Sequence, residues 1–213
     1  MPKAGEAEFR YRVWFLKDEY LRLLGHLDTI RIIERALRQV ELPLAYTEGF
    51  SKKPKLITSP PLPLGFTSRM ELMDFSTLEP IDEAETLAGL KEATSPRRVF
   101  HKLKSLAKDE PALSKCVHSM LVDLVFVNKA RELFLDEDMF SEFIDSLDGE
   151  RKQLLKGLKG WGVTDGLLKL NAEVRVNVLP LSKLTKEIAA HFGADFVTGE
   201  RVMLMREDGG LAF

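Results

Sequence analysis

The sequence predicts an α+β fold built of two tandem ferredoxin-like units, each a βαββαβ run closing an antiparallel sheet. Three observations predict it. Apolar residues alternate with polar ones in some stretches and recur with helical spacing in others, in the order strand, helix, strand, strand, helix, strand. The same order of patterns returns in the second half, without residue identity. Between the halves, residues 109–114 carry Pro111 and mark a boundary. The expected domains are therefore 1–112 and 113–213.

Each element has its own warrant. In residues 9–16, Phe9, Tyr11, Val13 and Phe15 alternate with Arg10, Arg12 and Trp14, the pattern of a half-buried strand. Residues 27–40 read as a helix, with Leu27, Ile30, Ile33, Ala36, Leu37 and Val40 on one face and Pro43 barring continuation. Residues 44–65 hold Gly49, Gly65 and prolines 54, 60, 61 and 63, so loop dominates, with room for short strands at 44–47 and 55–58. Residues 69–75 read as a strand. Residues 82–93 read as a helix with acids in its first turn, as the helix dipole prefers, and 97–106 as a strand. The second half offers strands at 119–127, 153–156, 168–178 and 200–206. Its helices fall at 137–147 and 182–192, the latter with Ser182 as N-cap and Gly193 as terminator. The Gly157-Leu-Lys-Gly160 run reads as a turn.

Composition excludes several classes. The 213 residues are 45% hydrophobic and 30% charged, enough apolar surface for a core. A formal net charge of −2 argues against a uniformly basic protein but allows a local basic patch. Cys116 is the single cysteine, so intrachain disulfides and Cys-rich metal or iron–sulfur sites are excluded, and a reducing, cytoplasmic setting is expected. No apolar run reaches the ~18 residues a membrane span needs, and the polar start carries no signal-peptide core. No phosphate-binding Gly loop, nucleophile elbow or dinucleotide fingerprint occurs, and the four histidines lack metal-ligand spacing. No cofactor or metal is expected.

Charge gathers in one place. Within residues 22–55, seven cations (Arg22, Arg31, Arg35, Arg38, Lys52, Lys53, Lys55) face four anions. Arg31, Arg35 and Arg38 share the polar side of the first helix, where guanidinium forks can track a phosphate backbone. Asp28 and Glu34, at i,i+3 and i,i+4 spacing, offer the plainer role of solvated helix pairs. Phe50 follows Gly49 and precedes Lys52, Lys53 and Lys55, an interleaving suited to stacking on a base while neutralising phosphates. Tyr46 would stack as well, or position the loop. Strand 1 and strand 4 would lie side by side. They would show Arg10, Arg12 and Trp14 beside Arg98, Phe100, Lys102 and Lys104, a face either open and basic or packed against the second domain or a partner. His26, at the start of the first helix, is the candidate general base of a metal-free endoribonuclease, with Tyr46 closing on it. Against this stands its ordinary use as a helix cap.

The residues from Arg10 to about Pro80 resemble the radical-SAM-linked (radical-SAM-associated) protein family of bacteria. The resemblance is carried by Gly25-His26-Leu27-Asp28, Glu34-Arg35-Ala36-Leu37-Arg38, the run Leu42-Pro43-Leu44-Ala45-Tyr46-Thr47-Glu48-Gly49-Phe50, Pro54-Lys55, and Pro60-Pro61-Leu62-Pro63-Leu64-Gly65. It implies company with a radical SAM enzyme or an RNA-processing chain. The sequence departs at Lys52-Lys53, where the family more often has Pro-His, and it lacks the three-cysteine cluster of the radical enzyme itself. Taken together these readings lead us to expect an RNA-binding or accessory module, non-catalytic by itself. Arg31, Arg35, Arg38, Lys52, Lys53 and Lys55 would contact phosphates, with Phe50 and Tyr46 beside them. The rivals are a His26 endoribonuclease and a scaffold that docks a radical SAM partner through residues 50–65.

Overall fold

The computed structural model describes residues 8–130, 133, 136–149, 151–164, 169–176 and 179–208. It is a mixed fold of helices and eight strands in a mostly antiparallel sheet. The chain divides into two compact units, Met1–Pro61 with Met70–Lys115, and Leu62–Arg69 with Cys116–Phe213. None of the helices among the described residues is long and apolar enough to cross a membrane.

The first unit runs β1 (Phe9–Lys17), α1 (His26–Gln39), β2 (Leu56–Thr58), β3 (Phe66–Thr77, in this unit from Met70), α2 (Glu83–Ala93) and β4 (Phe100–Ser105). Its strand order is β4-β1-β3-β2. The α1 stripe does what its spacing predicts at most positions. Ile33, Ala36 and Leu37 are buried, Ile30 and Val40 pack at the margin, and Arg31, Arg35 and Arg38 stay outside. Leu27 is the exception at 68% exposure. It lies about 120° from Ile33 around the helix, beyond the edge of the buried stripe. Asp82 caps α2, accepting from the Glu85 amide at 2.8 Å, with Glu83 and Glu85 in the first turn where the dipole favours them.

The core of this unit joins Tyr11, Val13 and Phe15 of β1 to Leu37, Met73, Phe75, Leu90 and Phe100. Each such side chain contributes about 1.5–3 kcal/mol when fully buried. Phe100 corrects the sequence reading, which set it on the face of Lys102 and Lys104. A bulge skips one residue of β4, so Trp14 pairs with Lys102 but Phe15 with Phe100, and the skip turns Phe100 inward.

Nor is β1 half-buried. Arg12, 1% exposed, sits on the face opposite the core and donates from Nε and Nη2 to the two oxygens of Asp74, at 2.5 and 2.8 Å. The Leu113 amide donates to Asp74 Oδ2 at 3.0 Å, and the Pro111 carbonyl accepts from Arg12 Nη2 at 3.3 Å. Trp14 is covered by the Lys102 ammonium, 4.9 Å from its ring centre. Around Arg12 and Trp14 this face is therefore covered by groups of the same unit, namely Asp74, the Pro111 carbonyl and Lys102. A single helical turn, α3 (Leu113–Cys116), stands at the sequence boundary of the units.

The second unit runs β5 (Ser119–Val127), α4 (Glu137–Asp145), α5 (Leu154–Gly157), β6 (Leu158–Thr164), β7 (Lys169–Arg175), α6 (Leu181–Phe192) and β8 (Phe196–Met205). Its strand order is β8-β5-β7-β6, all antiparallel, and residues 66–68 pair in parallel with 199–201 at the β8 edge. Phe140 and Phe143 of α4 are wholly buried, with the Trp161 ring of β6 4.8 Å from Phe140.

Three expectations change here. Residues 153–156, read as a strand, form the end of a 3₁₀ turn and the start of α5, and the strand begins at Leu158. Gly157 belongs to no turn of its own. A side chain there would lie 2.1 Å from Leu179 Cβ, so the glycine permits close packing. Pro180, not Ser182, stands at the N-cap of α6, whose far end is closed by Gly193 at φ 70°. Leu168, Asn177 and Val178 of the predicted 168–178 strand lie outside the described residues.

Candidate nucleic-acid interface

Chain direction places the predicted residues. α1 ends at Gln39, the chain turns through Pro43, and Leu44 and Tyr46 make isolated bridges to Thr77 and Pro54. Residues 45–55 then form a hairpin-like loop. Its rungs are Lys55 N to Ala45 O at 2.9 Å and Thr47 N to Lys53 O at 2.8 Å, with Lys53 N also donating to Thr47 Oγ1 at 3.1 Å. Gly49 turns the tip at φ 114°, a conformation costly for any side chain. Residues 46–53 are all exposed, and Phe50 at the tip is fully so. Lys52 and Lys53 flank it in solvent.

The arginine stripe meets the base of this loop at one point. The Arg38 guanidinium lies 5.6 Å from the Tyr46 ring centre. Arg38 also donates to Glu34 Oε1 from Nε at 3.1 Å and Nη2 at 2.8 Å, and this hydrogen bond raises its pKa further. Arg31 donates to Asp28 at 2.8 Å. Both pairs are on the helix surface, where water screens them and an arriving phosphate can compete. Arg35 pairs with no carboxylate among the described residues and lines a 230 Å³ groove with Arg97, Gln39 and Thr94. Lys55 is turned away from the stripe and forms an ion pair with Glu8.

His26 stands apart. It is the first residue of α1, with Nε2 3.5 Å from Thr58 Oγ1 of β2. At about 100° per residue it lies some 140° around the helix from Arg31. Tyr46 does not close on it. Tyr46 sits by Arg38, twelve residues and about 18 Å further along the axis. Among the described residues, no group of three or more His, Cys, Asp or Glu side chains could hold a metal ion.

Sequence reasoning missed a second feature. Beside the loop base, on the sheet face opposite the helices, lies a cleft of about 400 Å³, with Arg10, Thr47, Lys55, Ile57, Asp74 and Ser76 in its lining. Only the strand register brings these residues together, since Ile57 pairs with Asp74 across β2 and β3. No spacing along the chain could have shown it.

A model of the bacterial family described as "Uncharacterized protein conserved in bacteria (DUF2344)" matches residues 10–149. No curated protein matches the chain. Among solved structures, the crystal structure of an unknown protein from Galdieria sulphuraria is similar at 10% identity, over 92% of this chain and 100% of that one. Its TM-score of 0.29 is too low to support any inference about fold or function.

Proposed function

As the chain belongs to that bacterial family, whose description names no activity, we propose on its own geometry that it is an RNA-binding accessory module, non-catalytic by itself. One observation carries the reading. A loop closed by two backbone rungs holds an exposed Phe50 between Gly49 and Lys52-Lys53, and its base, at Tyr46, meets the Arg38 end of an exposed arginine stripe. Exposing an aromatic ring at a loop tip forgoes its burial, and stacking on a base recovers it. The lysines and arginines supply the counter-charge for the flanking phosphates. The strand orders β4-β1-β3-β2 and β8-β5-β7-β6 support reading each unit as one ferredoxin-like repeat. A radical SAM enzyme is the partner that the sequence resemblance implies.

The test is a salt titration with single-stranded RNA. If about five phosphates are neutralised, log affinity falls against log salt with a slope near −3.5 to −4.5. Affinity independent of salt, or no binding at low salt, rejects the reading. A partner retained on the protein in nuclease-treated lysate, and lost in Phe50→Ala, would instead favour protein docking through residues 50–65.

A further inference from the structure

We propose that the cleft beside the loop base binds the phosphate of a small phosphomonoester, with Arg10 and Lys55 as its charged anchors and Glu8 as a tethered competitor. All the groups belong to the first unit. Arg10 lines the cleft, and its Nη1 donates to the Glu110 carbonyl at 2.8 Å. Its Nη2 is buried with no hydrogen-bond acceptor, and Asp74 Oδ2, at 3.8 Å, is too far to serve. A buried cationic donor left unsatisfied is costly, and because the Arg10 side chain is 29% exposed, a turn of its guanidinium brings that donor to an oxyanion in the cleft, which gains a charge-assisted hydrogen bond.

Asp74 does not make the cleft acidic. Its two oxygens already accept from Arg12 Nε, Arg12 Nη2 and the Leu113 amide. Arg10 comes from β1, Lys55 from the loop base and Ser76 from β3, with Thr47 across the loop. Donors arriving from separate elements suit a tetrahedral oxyanion better than a planar carboxylate. Ile57 and Pro54 add an apolar wall, and about 400 Å³ falls in the range of small-ligand sites. Glu8 forms an ion pair with Lys55, so a bound phosphate must take the ammonium from that carboxylate.

The Glu8 contact fixes the sign of the test. Calorimetry on the full chain would use inorganic phosphate, AMP, adenosine and acetate as probes. AMP and phosphate should bind, and adenosine and acetate should not. Arg10→Met should weaken AMP at least about tenfold and Lys55→Met severalfold, whereas Glu8→Gln should tighten it. Because Arg10→Met could unfold β1, Lys55→Met and Glu8→Gln decide the matter if it does. Equal binding of adenosine and AMP, or AMP affinity unchanged in both Lys55→Met and Glu8→Gln, overturns the proposal.

Two oligoribonucleotides, one with a 5′-phosphate and one with a 5′-hydroxyl, separate the sources of the phosphate. Preference for the phosphorylated one, abolished by Lys55→Met, identifies an RNA end. Equal binding of the two, with AMP still bound, identifies a free ligand. The site stands apart from the RNA reading: Phe50→Ala should leave AMP binding intact whatever it does to RNA.

Discussion

Arg12 and Arg38 both grip a carboxylate through Nε and Nη2, yet the two pairs stand in opposite conditions. Arg12 is 1% exposed and bonds both oxygens of Asp74, a residue 62 positions away on another strand. Arg38 is 50% exposed and bonds one oxygen of Glu34, a turn back on its own helix. Inside, each charge depends on the other, because neither could stand alone away from water. Outside, water already solvates both, so the pair can part at little cost. The Nη2 contacts, 2.8 Å in both, do not separate the cases. Burial does, and burial decides which arginine is structural and which is free to meet a ligand.

The largest effect should come from breaking the inner pair. Asp74→Ala removes the bidentate acceptor of the buried Arg12 guanidinium and the acceptor of the Leu113 amide, and should cost about 3–5 kcal/mol. Urea unfolding followed by Trp14 fluorescence in a Trp161→Phe background reads it. A midpoint equal to the parent's would show that the pair is not structural. Next come changes outside. Lys52→Glu with Lys53→Glu should leave the unfolding midpoint in place and flatten the RNA salt slope by about 1.4, two phosphate contacts' worth. Phe50→Ala should cost about 1–3 kcal/mol of single-strand affinity if one base stacks there.

A smaller effect concerns pH. The hydrogen bond from Lys104 holds Glu110 below its ordinary value of 4.5, against the opposing pull of burial. The folded chain therefore binds this proton less tightly than the unfolded one. The stabilisation is full above the unfolded value and is lost as pH falls through the lower folded value. Glu110→Gln should make the acid limb of the stability profile shallower below about pH 4.5. The smallest effect is expected at the outer pair. Glu34→Gln should leave stability within experimental scatter and raise RNA affinity, since it releases Arg38. A fall in affinity would mean Glu34 positions the arginine.

What the sequence made legible was local periodicity. β5 matches its predicted span of 119–127, and α2 begins and ends within a residue of prediction, because alternation and an acidic first turn are written in consecutive letters. Arg12 was written as plainly, but its meaning was not. A charge in a period-two pattern reads as solvent-facing, and only the distant Asp74 makes it an interior residue. Phe100 was misplaced because a bulge reverses the pleat without leaving a sign in composition. The 153–156 stretch holds two leucines among polar residues, too short for either period to show. Of the candidate site, the loop and the stripe were legible as clusters of charge. Their meeting at Arg38 and Tyr46, and the cleft behind, depend on strand register.

Beyond the two rungs that close the loop at Ala45–Lys55 and Thr47–Lys53, residues 48–52 are exposed and make no hydrogen bond or ion pair to other parts among the described residues. Substitution at those positions is therefore cheap for folding, apart from the glycine that turns the tip. Natural variation there can track what the protein meets instead of how it holds together. A chain with the same scaffold could carry other letters in place of the lysines without losing its shape.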